Sequence, residues 1–169
     1  YGNSPLLGSG LDNENIGAYG EGCLSYLGPV WHVSVLGSDN NDGNENSPFA
    51  SIQKGIDYAN EGDTILVGSG TYYEHLNIDG GKVLISQEGR VHTIIDGSGN
   101  GRVLDINQKA TIDGFTIRNG YLYGNDGAGI HLNGHTGQTY LRNLIVENNI
   151  IDDGQADNGY GAGGGIYMD

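Results

Sequence analysis

The 169-residue chain carries 21 acidic and seven basic residues, a formal charge of −14 at pH 7, with 36% hydrophobic residues, 32 glycines and three prolines. This acidity excludes nucleic acid as a partner, since phosphate recognition needs clustered Lys and Arg, and glycine without a Gly-X-Y period excludes collagen. A lone cysteine, Cys23, permits no internal disulfide, and the sequence holds no apolar run of the length that membrane insertion requires.

Residues 1–28 are glycine-rich and turn-forming, with Ile16 and Tyr19 in one brief apolar patch. The chain opens on Tyr1, which reads as a piece processed or excised from something longer, and Cys23 reads as a small buried hydrophobe. Val30–Leu36 alternates as a strand, placing Trp31, Val33 and Val35 on one face. Next, Asp39–Asn46 places seven oxygen-bearing side chains in eight positions around Gly43. Asp39, Asn41, Asp42, Asn44 and Glu45 are the hard oxygen donors that calcium prefers, although no Glu stands at the twelfth position of an EF-hand. The alternative is a plain Asn/Asp turn with no ion. Residues 47–62 read as the one helix, with Ile52, Ile56 and Ala59 on a shared face. Its start is either Ser47 before Pro48 or Ser51 as N-cap, and Gly62 is expected as the left-handed C-terminal residue. A single helix among strands suggests a lid over an open sheet end.

From Thr64 to Met168 the pattern is short Ile/Val/Leu-rich strands between Gly, Asn and Asp: 64–67, 75–78, 83–85, 93–95, 103–106, 115–117, 129–132, 144–146 and 165–168. Gly114–Asn119 recurs in outline as Asn143–Asn148, and Gly127–Leu132 recurs as Gly163–Met168, at offsets of 29 and 36 residues. Repeats of this size, with strands too short to bury their own faces, must stack on one another. The expected class is all-β, a right-handed parallel β-helix with one short N-terminal capping helix. Its organisation is a tail-like 1–28, a strand, loop and helix over 29–62, and stacked coils over 63–169. Gly80-Gly81, Asp96-Gly97, Asp113-Gly114 and Asn133-Gly134 mark corners. Asn119 and Asn148 follow matching apolar triplets, as members of an asparagine ladder would. Tyr72, Tyr73, Tyr121, Tyr123, Tyr140, Tyr160 and Tyr167 are a tyrosine set suited either to stacking sugar rings or to packing at the edges of a glycine-rich coil.

The run Asp42-Gly43, Ser47–Lys54, Glu61–Val67 and Gly70–Glu74 resembles the opening of pectate-lyase-like right-handed β-helix proteins, most of all their bacterial surface branch. Thr93–Gly97, Gly114–Gly120 and Gly163–Tyr167 continue the likeness over roughly residues 30–169. The resemblance implies the parallel β-helix fold and an extracellular or cell-surface place, and little about chemistry. Ser4–Gly20 resembles the stretch that ends such a β-helix, here set before the start of one. The expected function is therefore structural: a segment stacking end to end into a filament, stalk or surface layer. Ile16 and Tyr19 would serve at one end and Gly165, Ile166 and Tyr167 at the other, against copies of itself or the rest of a parent chain.

The alternative is a carbohydrate-binding or polysaccharide-lyase β-helix acting on acidic glycans. A lyase of this superfamily would need calcium held by carboxylates, here Asp96, Asp105 or Asp113, and a basic residue to take a proton alpha to a uronate carboxylate. Arg118 and Arg142 are the candidate bases, followed by Arg90, Arg102, Lys82 and Lys109. The signatures of polygalacturonases are absent. Asp152, Asp153 and Asp157 form a second, fainter cation candidate, and the five histidines show no metal spacing.

Overall fold

A computed structural model describes residues 29–124, 127–133, 137–152 and 164–168. In chain order these hold β1 (Val30–Val33), α1 (Ile52–Tyr58), β2 (Thr64–Val67), β3 (Gly70–Tyr72), β4 (Leu76–Ile78), β5 (Lys82–Ser86), β6 (Thr93–Asp96) and β7 (Leu104–Ile106). There follow β8 (Ala110–Asp113), β9 (Thr116–Arg118), β10 (Tyr121–Tyr123), β11 (Ile130–Leu132), β12 (Tyr140–Arg142), β13 (Ile145–Glu147), β14 (Ile150–Asp152) and β15 (Ile166–Met168). The class is all-β with one helix, as expected, and every pairing between these strands is parallel.

Strands β1-β2-β5-β8-β12 form one sheet, β3-β6-β9-β13 a second, β4-β7-β11-β15 a third, and β10-β14 a short pair. From Thr64 the chain visits the first, second and third sheets in turn. It makes the circuit four times, adding β10 and β14 in the third and fourth, and each new strand lies beside its predecessor. Parallel strands need a crossover, and here the crossover is the remainder of the circuit. This parallel pairing fits the β-helix expectation.

Register turns the circuits into columns of like side chains. Ile65, Leu84, Ile112 and Leu141 stack in the first sheet. Tyr72, Ile95, Ile117 and Val146 stack in the second. In the third, Leu76, Leu104, Ile130 and Ile166 form one column and Ile78, Ile106, Leu132 and Met168 another. Members in the first three circuits are fully or nearly fully buried, apart from the partly buried Leu132, and those of the fourth are only partly covered or exposed. Alternation along each strand turns the intervening residues outward, giving the third sheet the exterior column Asn77, Asp105, His131 and Tyr167.

Both repeat pairs lie in register as their sequence likeness implies, with Thr116 opposite Ile145 and Ile130 opposite Ile166. The helix is shorter than 47–62. Ser51 is its N-cap, accepting from the Lys54 N–H, and Ala59 leaves it with extended backbone. The N–H groups of Ala50 and Ser51 are drawn instead to Asp39, so the chain cannot wind earlier. Gly62 does take a positive φ of 89°, but in the following turn. At Asp96-Gly97 the left-handed residue is Ser98, at φ 56°. Gly97 is there for room, since a Cβ would lie 2.9 Å from the Asn119 carbonyl oxygen.

The two ends of the stack differ. Beside β1, residues 43–49 take up the free edge: His32 N–H donates to Gly43 O, Ser34 N–H to Phe49 O, and Phe49 N–H to His32 O, at 2.8–2.9 Å. Helix α1 closes over this end, burying Ile52, Gly55 and Ile56. Trp31, Phe49 and Tyr58 form an aromatic cluster with centroids 5.1–6.1 Å apart. The lone helix thus lies against β1, β2 and β4. At the far end β12, β13, β14 and β15 are each the outermost strand of their sheet.

Candidate functional site

Two carboxylates anchor the lid. Asp39 accepts from the N–H of Ala50 and Ser51 and from the Ser51 hydroxyl at 2.8–2.9 Å. Glu74, just before β4, accepts from Ile52 N–H (2.8 Å) and Gln53 N–H (2.9 Å), one on each oxygen. Burial pushes the Glu74 carboxyl up, and the two N–H donors only partly offset this; Asp39 nearby raises it further. For Asp39 the balance reverses: burial raises it, but the Ser51 and Ala50 donors outweigh that and hold it below the ordinary carboxylate range.

This geometry bears on the calcium expectation. Asp39 aims both oxygens at the start of α1. Asn41 donates to Pro48 O (2.8 Å), and the Asn44 side-chain oxygen accepts from Asn46 N–H (3.0 Å). The loop thus closes through its own hydrogen bonds, leaving Asp42 and Glu45 as its uncommitted carboxylates. Among the described residues no three His, Cys, Asp or Glu side chains converge as metal ligands. The donor set as arranged does not fit a calcium cradle. Asp152 accepts from the Tyr121 hydroxyl (2.7 Å). Asp153 and Asp157, like Ile16 and Tyr19, lie outside the described residues.

The candidate lyase residues are not brought together. Arg118 stands on β9 in the second sheet, with its Nε 2.8 Å from Asp96. Arg142 stands on β12 in the first, its guanidinium 4.8 Å above the Tyr140 ring. They belong to different sheets and cannot line one face as their matching strands suggested. Asp96, Asp105 and Asp113 are likewise divided, one to each sheet. Asp105 instead joins Arg102 (2.8 Å) and His131 Nδ1 (3.1 Å), whose ring stacks on Tyr167 at 5.6 Å. Of Gly165, Ile166 and Tyr167, Ile166 and Tyr167 lie on β15, the outermost strand of the third sheet, and Gly165 directly precedes it.

The asparagine ladder is present, but not where it was sought. Asn133 donates to Asn107 (3.2 Å), and Asn107 to Asn77 (2.6 Å). Asn119 and Asn148 instead hold matching left-handed corners at φ 57° and 54°. The amide turned inward at the fourth circuit is Asn149, which accepts from Gly120 N–H and donates to Ile117 O.

A groove of about 490 Å³ runs along these corners, crossing all four circuits. Tyr73 contributes from the first, Asp96 from the second, Asn119 and Tyr121 from the third, and Asn148 and Ile150 from the fourth. At about 4.8 Å between strands, four levels give a length of about 14 Å. Asp96, 3% exposed, accepts from Ser98 N–H, Arg118 Nε and Asn119 Nδ2. The Tyr121 ring is held by its hydrogen bond to Asp152, which also raises its hydroxyl pKa. Tyr73 is 71% exposed, whereas its neighbour Tyr72 is buried and donates to Gly68 O. Tyr72 is thus a core residue and no part of any tyrosine surface. A surface groove of this kind was hidden in the sequence because its nine lining residues come from four circuits of unequal length.

A family model described as a protein of unknown function (DUF1565), a family associated with β-helix proteins, matches residues 35–80. That span takes in the polar loop, the helical lid, the first circuit and both anchoring carboxylates. No curated protein and no solved structure gives a significant match.

Proposed function

We propose that the chain is a right-handed parallel β-helix of the pectate-lyase-like kind. In this reading it is a structural segment of an extracellular or surface protein, extended by stacking a further turn onto its β12–β15 end. The observation that carries the reading is the exposure of two inward-column residues: Ile166 is 46% and Met168 74% exposed, while Ile130, one circuit earlier in the Ile166 column, is fully buried. Four outermost strands also offer backbone groups on one side, a template for continued pairing. At the opposite end, α1 and residues 43–49 lie against the edge of β1.

The added layer has the same chemistry whether it is the chain's own continuation or a second copy. Sedimentation of the 169-residue chain over a range of concentrations tests the proposal. Self-association is expected, and Ile166→Lys with Met168→Lys should abolish it by placing two charges in the apolar columns. Association that survives in a lengthened chain assigns the layer to a second copy, and its loss there assigns it to the continuation. A monomer at every concentration, or association indifferent to the two lysines, would refute the stacking.

A further inference from the structure

We infer that the groove along the second-sheet corners binds a neutral oligosaccharide lengthwise, parallel to the stacking direction. This is independent of end-to-end stacking. Three features carry it.

The first is shape: the groove crosses four circuits, so it takes an extended chain-like ligand and not a compact one. Tyr73 and Tyr121 lie in it two circuits apart, one largely exposed and the other fixed through its hydroxyl to Asp152. Exposed tyrosine rings provide apolar faces with polar tips, suited to the C–H faces and hydroxyl rims of sugar rings. A ring already held in place loses little conformational freedom on binding.

The second is charge. Arg118, the cation that enters the groove's hydrogen-bond network, is ion-paired with Asp96, so the two cancel. What the lining then offers is amide, hydroxyl and backbone groups, with Asn148 exposed at the fourth circuit. Glu147 sits opposite Arg118 on the neighbouring strand, and the whole chain carries −14. A uronate polymer entering here would meet like charge and no unpaired cation among the described lining residues. A neutral glycan is not repelled. This departs from the acidic glycan of the alternative reading drawn from the sequence.

The third is rigidity. Asn119 and Asn148 repeat one left-handed corner on the third and fourth circuits, Ser98 is left-handed one position further on in the second, and hydrogen bonds from Ser98 N–H and the Asn119 amide to Asp96 hold two of these turns. The site is formed before any ligand arrives.

Titration calorimetry tests the inference, using cellohexaose, xylohexaose and mannohexaose against hexagalacturonate. The Ile166→Lys, Met168→Lys form is run beside the unmodified chain, so that loss of assembly and loss of sugar binding are read separately. At least one neutral hexasaccharide should bind both forms, and more tightly than the uronate. Tyr73→Ala, an exposed position, should weaken binding about tenfold or more, while Tyr140→Ala, an exposed tyrosine on another sheet, should leave it unchanged. The inference is overturned by failure of all three neutral sugars, by tighter binding of hexagalacturonate, or by equal affinities of Tyr73→Ala and the parent. Displacement of the sugar by a proline-rich peptide that binds more tightly would reassign the groove to peptides.

Discussion

Truncating Ile117 to alanine tests the column architecture most directly. Ile117 is fully buried in the second sheet, between Ile95 below and Val146 above. Removing three carbons costs about 2.4 kcal/mol in lost burial, at about 0.8 kcal/mol per carbon. A cavity term adds to this, because the adjacent side chains hang from strands fixed by backbone pairing and cannot close the gap. A total of about 4 kcal/mol lies within the range for large-to-small core changes. For a chain of this size that lowers the melting midpoint by about 8–16 °C. Val146→Ala, in the same column but only half-buried, loses two carbons and should cost about 1 kcal/mol. Urea denaturation followed by circular dichroism measures both. Equal losses at the two positions, or a cost at Ile117 under about 1.5 kcal/mol, would mean that the column does not bear the packing assigned to it.

Asp96→Asn should cost about 2 kcal/mol at neutral pH, the scale of hydrogen bonds to a charged group. Burial alone would raise the Asp96 carboxyl, but Ser98, Arg118 and Asn119 together hold it below its ordinary 3.8. A depressed carboxyl contributes stability that is complete above its unfolded value and fades as pH falls through the folded one. The parent should therefore lose stability below about pH 3.8 more steeply than Asp96→Asn, and urea midpoints with parallel slopes would discard the ion pair as the cause. Among the glycines, Gly120→Ala places a Cβ 2.0 Å from the Ala128 carbonyl oxygen, whereas Gly89→Ala meets nothing within 4 Å but keeps a φ of 80°. The first should cost more than about 3 kcal/mol and the second about 1 kcal/mol, with chemical denaturation reporting the order; a reversed order would contradict the packing of that corner.

Strand positions were legible because the spacing of apolar triplets between turn formers survives in every circuit. The offsets of 29 and 36 residues translate directly into the pairs Thr116–Ile145 and Ile130–Ile166. Strands β3, β10 and β12 escaped notice because they are polar or aromatic at outward positions, and β8 because Ile112 is its one large apolar residue. Which strands share a sheet could not be read. Pairing positions in the first sheet are 19 residues apart between β2 and β5 but 28 between β5 and β8, so equal spacing in sequence does not give equal placement. Arg118 and Arg142 are 24 residues apart, short of the 29 that separate third- and fourth-circuit partners, so they fall on different sheets. Tyr72 and Tyr73 show the same limit at one residue's remove: alternation sends one inward and its neighbour outward, and composition alone treats them alike. The polar loop was open to two readings for another reason. Its carboxylate density reflects a clasp on the helix start as readily as an ion site, and only the direction of the Asp39 oxygens distinguishes the two.

The clasp on α1 spans residues 39 to 74, which gives synthesis a polarity. During translation the helix has no second carboxylate to hold it until Glu74 has emerged, after which lid, β1 and the first circuit can close as one nucleus. Later circuits then have a finished floor to settle on, each in the order it leaves the ribosome. Hydrogen-exchange labelling of arrested nascent chains should show the Ile52 and Gln53 amides protected once residue 74 is free and before β9 exists; protection that waits for the complete chain would speak for closure from the other end.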